Sequence, residues 1–247
     1  MKRLDQALVE RGLFDSREKA KRAVMAGVVE INSQLARKAS DAVKPTDELT
    51  VKEPEKYVSR GGLKLEHALD QFAIDPCGLA AIDIGASTGG FTDCLLQRGA
   101  KRVFAVDVGH GQLAWKLRQD ERVEVMEKTN ARELSAAHFG DEFEPFPLAV
   151  IDCSFISLRT ILPPAIDLIA PGGRLVPLIK PQFEAGKSEV DKGQGVIRDP
   201  AVHRRVVNEL KDFVTAELSV KWIGQVESPI TGPAGNKEFL ALLEKDA

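Results

Sequence analysis

The apolar positions of this chain change period repeatedly. Short apolar runs at 81–84, 102–106, 123–126, 148–151, 174–179, 221–226 and 238–243 read as strands. Between them the spacing relaxes to three and four, which predicts helices at about 91–98, 111–119, 158–170 and 200–216. Strands that alternate with helices predict a doubly wound, mostly parallel, seven-stranded sheet with its ligand site at the carboxyl ends of the strands. The last two runs are joined by the Gly/Pro-rich segment from Ser228 to Asn236, with no helical pattern between them, so they predict a closing hairpin. Ahead of the first strand, Leu65, Ala68, Leu69 and Phe72 make the apolar stripe of another helix, with Ser59 as its candidate cap. Lys64 falls near the start of that helix, where a cation is disfavoured, so it is either plain surface or held by a carboxylate.

The first fifty residues follow a smaller plan. Leu4, Ala7 and Leu8 before Gly12 predict a short amphipathic helix. Ala20, Ala23 and Val24 predict a second, begun by a capping-box pattern of Asp15 with Glu18 and stopped at Gly27. Val28 to Ile31, a polar Asn32-Ser33 turn, and Glu48 to Val51 supply strands. The charged segment Lys52-Glu53-Pro54-Glu55-Lys56 marks a boundary, giving domains at 1–53 and 61–247 with a linker at 54–60.

Candidate chemistry begins in the turn after the first long-domain strand, Asp83-Ile84-Gly85-Ala86-Ser87-Thr88-Gly89-Gly90-Phe91. It lacks the G-x-G-x-x-G spacing of a dinucleotide site, because Ala86-Ser87-Thr88 follow Gly85. Asp107 closes the next strand, where a carboxylate can accept hydrogen bonds from both hydroxyls of a ribose. A nucleoside site with no pyrophosphate to cradle resembles the S-adenosylmethionine (SAM) loop of Rossmann-like class I methyltransferases. That resemblance implies SAM as cofactor, held by Asp83, Gly85, Ala86, Ser87, Thr88, Gly89, Gly90, Phe91 and Asp107, with Asn130, Ala131 and Asp152 bordering it. Gly186-Lys187-Ser188 mimics the end of a phosphate-binding loop, but Pro181 stands where that loop needs glycine.

Arg17, Lys19, Lys21 and Arg22 crowd the exposed surface of the second helix, and a solvated helix face is the plain reading of such a cluster. The order of elements adds to it. Ser16-Arg17-Glu18-Lys19-Ala20 followed by Gly27-Val28-Val29-Glu30-Ile31-Asn32 resembles the S4 RNA-binding module, with Ser33 where the module often has glycine. The resemblance implies a small α+β domain gripping RNA phosphates through Arg3, Arg17, Lys19, Lys21 and Arg22, joined by Arg60 beyond it.

The fourth strand of the large domain runs into Asp152 and the fifth into Lys180, so both side chains belong to the rim that carries the Gly-rich turn; Glu238 opens the last strand. With Lys64 they make the ordered set Lys, Asp, Lys, Glu, the tetrad of the FtsJ-like RNA 2'-O-methyltransferases. Ser59-Arg60-Gly61-Gly62-Leu63-Lys64-Leu65 is similar to that family's segment around its first lysine. Together with the S4-like module, Asp152-Cys153-Ser154-Phe155-Ile156-Ser157-Leu158 and Lys180-Pro181-Gln182-Phe183-Glu184-Ala185-Gly186 resemble the haemolysin A (TlyA) family of ribosomal RNA methyltransferases. This implies 2'-O-methylation of a ribose, of a cytidine in that family, with Lys180 contacting the hydroxyl, Asp152 and Glu238 orienting it, and Lys64 completing the network. For Phe155, core packing is expected over stacking on a base, and Cys153 is expected to be a small buried thiol rather than a nucleophile. The polar stretch from Gln182 to Arg198 reads as an RNA-contacting lid or a mobile loop.

Composition narrows the classes without choosing among them. With 43% hydrophobic and 29% charged residues, the 247-residue chain reads as globular, and no apolar run reaches the roughly 20 residues of a membrane span. Net charge is -3 overall, yet residues 1–56 carry 12 Lys+Arg against 10 Asp+Glu. Cys77, Cys94 and Cys153 form no paired motif, which fits a reducing cytoplasm and no metal site. The expected partner is therefore ribosomal RNA or a ribosomal subunit, with no membrane partner. Two competing readings are an RNA-binding assembly factor without catalysis and a membrane-active haemolysin, the second unsupported by any long apolar amphipathic segment.

Overall fold

The structure, a computed structural model, describes residues 1–52, 55–141 and 143–246. Glu53 and Pro54, on which the expected boundary falls, lie outside the described residues. The chain forms two compact units, Met1–Lys56 and Tyr57–Ala247.

In the first unit, β1 (Lys2–Arg3) leads into α1 (Leu4–Glu10) and α2 (Arg17–Met25), followed by β2 (Val29–Ile31), β3 (Gln34–Leu35), β4 (Ala42–Val43) and β5 (Leu49–Val51). β2 lies between β3 and β5, antiparallel to both, while β1 pairs with β4. Leu4, Leu8, Ala20, Val24 and Val29 close a small core between the helices and this sheet. The cap of α2 corrects the expectation. Ser16, not Asp15, accepts the Lys19 N–H, and Asp15 instead pairs with the Lys19 ammonium at 2.6 Å. A capping hydroxyl must sit at the last non-helical residue, and Ser16 has the extended backbone that this position demands. The β2–β3 turn closes on Asn32 and Ser33 with φ of 50° and 64°, so serine adopts the left-handed backbone that glycine usually takes.

The second unit runs α3 (Gly61–Gln71), β6 (Ala80–Ile84), α4 (Gly90–Gln97), β7 (Arg102–Val106), α5 (Trp115–Arg118), β8 (Val123–Met126), β9 (Phe146–Ile151), α6 (Leu158–Asp167), β10 (Ile169–Ile179), α7 (Pro181–Glu184), α8 (Lys187–Lys192), α9 (Pro200–Glu217), β11 (Val220–Glu227) and β12 (Phe239–Lys245). All seven expected strands form one sheet in the order β11-β12-β10-β9-β6-β7-β8. It is parallel except for β12, which runs antiparallel to both β10 and β11. This is the doubly wound, Rossmann-like architecture the alternation predicts. The helix expected at 111–119 shrinks to α5, and the one expected to 170 stops at Asp167 because Ile169 and Ala170 already belong to β10.

Side-chain alternation assigns the faces. Ile82 and Ile84 of β6 join a core with α6 and α9, whereas Ala81 packs with Leu65, Leu69 and Leu95 of α3 and α4 on the opposite face. Asp83 shares that second face, directly beneath the start of α4. The chain leaves β6 toward β7 and β8 and returns through β9 on the other side, so the switch point, and with it a crevice, lies between β6 and β9. Among the described residues no helix is long and apolar enough to cross a membrane.

Candidate active site

The Gly-rich turn sits over this switch point because two glycines permit close approaches. A Cβ on Gly85, whose φ is 88°, would lie 2.8 Å from the Asp152 carbonyl oxygen, so the ends of β6 and β9 meet only with glycine there. A Cβ on Gly90 would lie 2.3 Å from Ser59 Oγ and 2.9 Å from Gly62 N, which is how closely α4 begins against α3. Ser59 therefore faces Gly90 and does not cap α3, whose start carries no side-chain cap.

Two clefts open beside the turn and share Gly85, Ser87, Asp152 and Ser154 as a common wall. The first, about 590 Å³, is lined by Asp107, Gln112, Asn130, Ala131, Phe155 and Ile156. Asp107 accepts the backbone N–H groups of Ser87 and Gly109, each at 2.7 Å. A carboxylate has about four lone-pair directions, so two remain for a ligand. Asn130 accepts the Arg132 N–H and marks the turn after β8.

The second cleft, about 290 Å³, brings together all four residues of the expected tetrad, with Arg60, Ala86, Thr88, Gly90 and Phe91 also in its lining. The charges form two separate pairs. Lys64 Nζ meets Glu238 Oε2 at 2.5 Å, with side chains only 8% and 1% exposed, and Lys180 Nζ meets Asp152 Oδ1 at 2.6 Å. The carboxylate expected to offset the unfavourable place of Lys64 is thus Glu238. Contrary to the expected network, Glu238 is paired with Lys64 and not with Lys180. Lys180 instead donates to Ser154 Oγ at 2.8 Å, a contact that motif reading missed because Ser154 lies in a loop with no period to read.

Asp83 and Gly89 line neither cleft. Asp83 is fully buried, accepts the Thr92 hydroxyl at 2.6 Å, and keeps Oδ1 unpartnered. Burial pushes its carboxyl up to about 7, the Thr92 hydrogen bond opposes that shift, and the neighbouring Asp152 and Asp107 charges add to it.

Phe155 overturns its expectation. It is 89% exposed at the mouth of the first cleft, with φ of 63° and its ring 5.2 Å from that of Phe183. The strand ends at Ile151, and the chain has already left the core three residues later. Cys153 donates to the Ile84 carbonyl, and burial pushes its thiol up to about 12, which leaves it inert as a nucleophile. The stretch from Gln182 to Arg198 is not bare loop, since α7 and α8 occupy most of it. Glu184 reaches back to the start of α6, accepting from Leu158 N–H and Ser157 Oγ at 2.7 Å each.

In the first unit, Arg3 and Arg17 converge on the carboxylate of Asp5, which is buried beneath them. The Arg3 guanidinium, aided by Arg17, holds that carboxyl down at about 2 against the penalty of burial. Sequence reading missed Asp5; its signal is a carboxylate next to Leu4 on the buried side of α1. Lys21 pairs with Glu18 at 2.9 Å, and Arg22 is exposed.

Residues 57–245 match the FtsJ-like methyltransferase family. The chain belongs to that family. Residues 2–49 match the S4 domain, so an S4 domain precedes the FtsJ-like unit. The FtsJ-like chain is similar along its length to a Bacillus subtilis protein provisionally named rRNA methyltransferase YqxC, 54% identical over 96% of this chain and 84% of that protein. It is 46% identical to the 16S/23S rRNA (cytidine-2'-O)-methyltransferase TlyA of Mycobacterium tuberculosis, over 98% of this chain and 89% of that one. A solved structure from Streptococcus thermophilus, provisionally titled a hemolysin, superposes with a TM-score of 0.75 at 46% identity, covering 99% of this chain and 88% of that one.

Proposed function

We propose that this FtsJ-like methyltransferase transfers a methyl group from SAM to the 2'-hydroxyl of a cytidine in ribosomal RNA, with Lys64, Asp152, Lys180 and Glu238 as its catalytic set. The observation that carries the reading is the common wall. Asp152 and Ser154 belong to both clefts, so a nucleoside bound beside Asp107 abuts the paired lysines. The similarity to a protein named for cytidine 2'-O-methylation supports the substrate.

The first cleft fits SAM by its donor set. Asp107 offers free lone pairs to ribose hydroxyls, Asn130 and Ala131 border the site, and Gly85 and Ser87 form its wall toward the second cleft. When bound, SAM supplies a methyl group on a positively charged sulfur. The chain's own part is to hold the acceptor. Lys180 Nζ donates to Ser154 Oγ and lies 2.6 Å from Asp152 Oδ1, which leaves an N–H to hold the 2'-oxygen toward the methyl group while the hydroxyl proton leaves to water. Lys64, neutralised by Glu238, completes the cleft. Phe155 offers an exposed ring beside it for a base to stack on.

We assign residues 1–53 to RNA grip, residues 54–60 to the link and residues 61–247 to chemistry. Arg3 and Arg17, fixed by Asp5, stand with Lys19, Lys21, Arg22 and Arg60 as phosphate contacts. The test is transfer of labelled methyl to naked ribosomal RNA, isolated subunits and whole ribosomes, followed by mapping of the modified nucleotide. Lys180→Ala should abolish transfer while SAM binding persists, and retained turnover in that variant refutes the assignment.

A further inference from the structure

The Ser228–Asn236 loop is one wall of the lysine cleft, where Ile230, Thr231 and Pro233 face the tetrad. At Gly232 it passes so near Glu238 that a Cβ would lie 2.5 Å from Oε1. The wall is fastened at Asn236, which is 2% exposed. Asn236 Oδ1 accepts the Ile197 N–H at 2.9 Å, Nδ2 donates to the Gly195 carbonyl at 2.9 Å, and its own carbonyl accepts the Gly232 N–H at 2.9 Å. The far anchor is buried as well. The Ile197 carbonyl accepts from Nε2 of His203, a side chain 4% exposed whose ring meets that of Phe239 edge-on at 5.8 Å. Phe239 follows Glu238, so the ring of contacts from Asn236 through Ile197 and His203 returns to the residue beside the tetrad carboxylate. The hairpin itself does not depend on this ring, since Ser228 N–H bonds the Glu238 carbonyl at 2.9 Å without it.

We propose that Asn236 is a positioning residue of the methyl-transfer site. By pinning the wall to the Gly195–Ile197 backbone it holds Glu238, and through Glu238 the Lys64 ammonium, where transfer requires them. The inference rests on the tetrad reading above. Without the amide side chain, the buried Ile197 N–H and Gly195 carbonyl lose their partners and the wall is free to shift, and a displacement of about 1 Å at a reacting centre can cost about 100-fold in rate.

The test is a double-mutant cycle read by single-turnover methyl transfer at saturating RNA and SAM, on the full chain as wild type, Asn236→Ala, Glu238→Gln and the double variant. Asn236→Ala should slow transfer at least about tenfold while RNA and SAM affinities stay within about threefold. In the Glu238→Gln background the same substitution should change the rate less than about twofold. Asn236→Asp keeps the acceptor for Ile197 but sets a carboxylate oxygen against the Gly195 carbonyl, so it too should slow transfer at least about tenfold and serves if the alanine variant does not fold. Wild-type rates in both Asn236 variants, or an equal loss in the two Glu238 backgrounds, would overturn the proposal. A Glu238→Gln enzyme as fast as wild type would instead refute the tetrad reading itself.

Discussion

Substituting Gly90 by alanine tests whether the start of α3, which carries Lys64, is held in place by α4. The new methyl would meet Ser59 Oγ at 2.3 Å, Gly62 N at 2.9 Å and Gly61 Cα at 3.2 Å. Rotation of the Ser59 hydroxyl relieves the first overlap but not the other two, because backbone cannot rotate away. Ordinary contact at about 3.4 Å requires the α3 segment to retreat from Gly62 N by roughly 0.5 Å, and inserting a methyl into so close a contact costs about 1–3 kcal/mol. For a unit of this size each kcal/mol lowers the melting temperature by about 2–4 °C, so a drop of roughly 2–12 °C is expected. Lys64 lies one turn into the displaced helix, so its reach to Glu238 shifts with it. Scaled from about 100-fold per ångström, the loss of transfer rate should be about tenfold. The assays are thermal melting and single-turnover methyl transfer, with Gly90→Ala/Ser59→Ala as the companion variant. That pair should recover only part of the loss. Wild-type melting and rate in Gly90→Ala, or full recovery in the pair, would refute the claim that backbone approach fixes α3.

Four further outcomes follow from the hydrogen bonds and charges. Asp107→Ala removes the acceptor of the Ser87 and Gly109 N–H groups and should weaken SAM binding, read by calorimetry, at least about tenfold, with RNA affinity preserved; parallel loss of both would mean the cofactor site is not separable. Asp83 ionises at about 7 when folded against 3.8 in an ordinary setting, so the folded state retains the extra proton between those values and stability falls as pH rises through them. Asp83→Asn should flatten melting temperature against pH between about 4 and 7, and an unchanged slope would contradict the assignment. Asp5 behaves oppositely: its folded carboxyl at about 2 contributes stability that is present above 3.8 and lost as pH falls toward 2, so Asp5→Asn should remove that acid-labile part of unfolding. In RNA binding, Arg17→Ala should reduce the slope of log affinity against log salt by about one; an unchanged slope would take Arg17 off the phosphate path.

Much of the fold and part of the candidate site are legible in the sequence. Most of the strands from β6 to β12 announce themselves as apolar runs, and the helices up to β11 repeat at three and four; both signals are local. Gly85 and Gly90 stood out for the same local reason. The order Lys64, Asp152, Lys180, Glu238 could be collected because each member abuts a strand or helix end, and strand ends in a parallel sheet share a rim. Sequence also fixed on Asp15 where Ser16 caps, and on a buried Phe155 where the ring is exposed, since both outcomes turn on a one- to three-residue difference in where an element stops.

Which lysine takes which carboxylate was beyond that reach. Lys64 and Glu238 are 174 positions apart in the chain and become a pair because β12 inserts antiparallel beside β10, bringing the start of the last strand to the rim where α3 begins. No periodicity encodes that insertion. It depends on which sheet edge is left to be covered once β9 and β10 have packed, a property of the assembled layers. The same holds for Asn236, whose amide has meaning only after Gly195 and Ile197 are folded against it. The chain by itself determined the family, most of the elements and the list of candidate residues; tertiary packing decided their partners, because pairing across a sheet is set by strand order and not by neighbours along the chain.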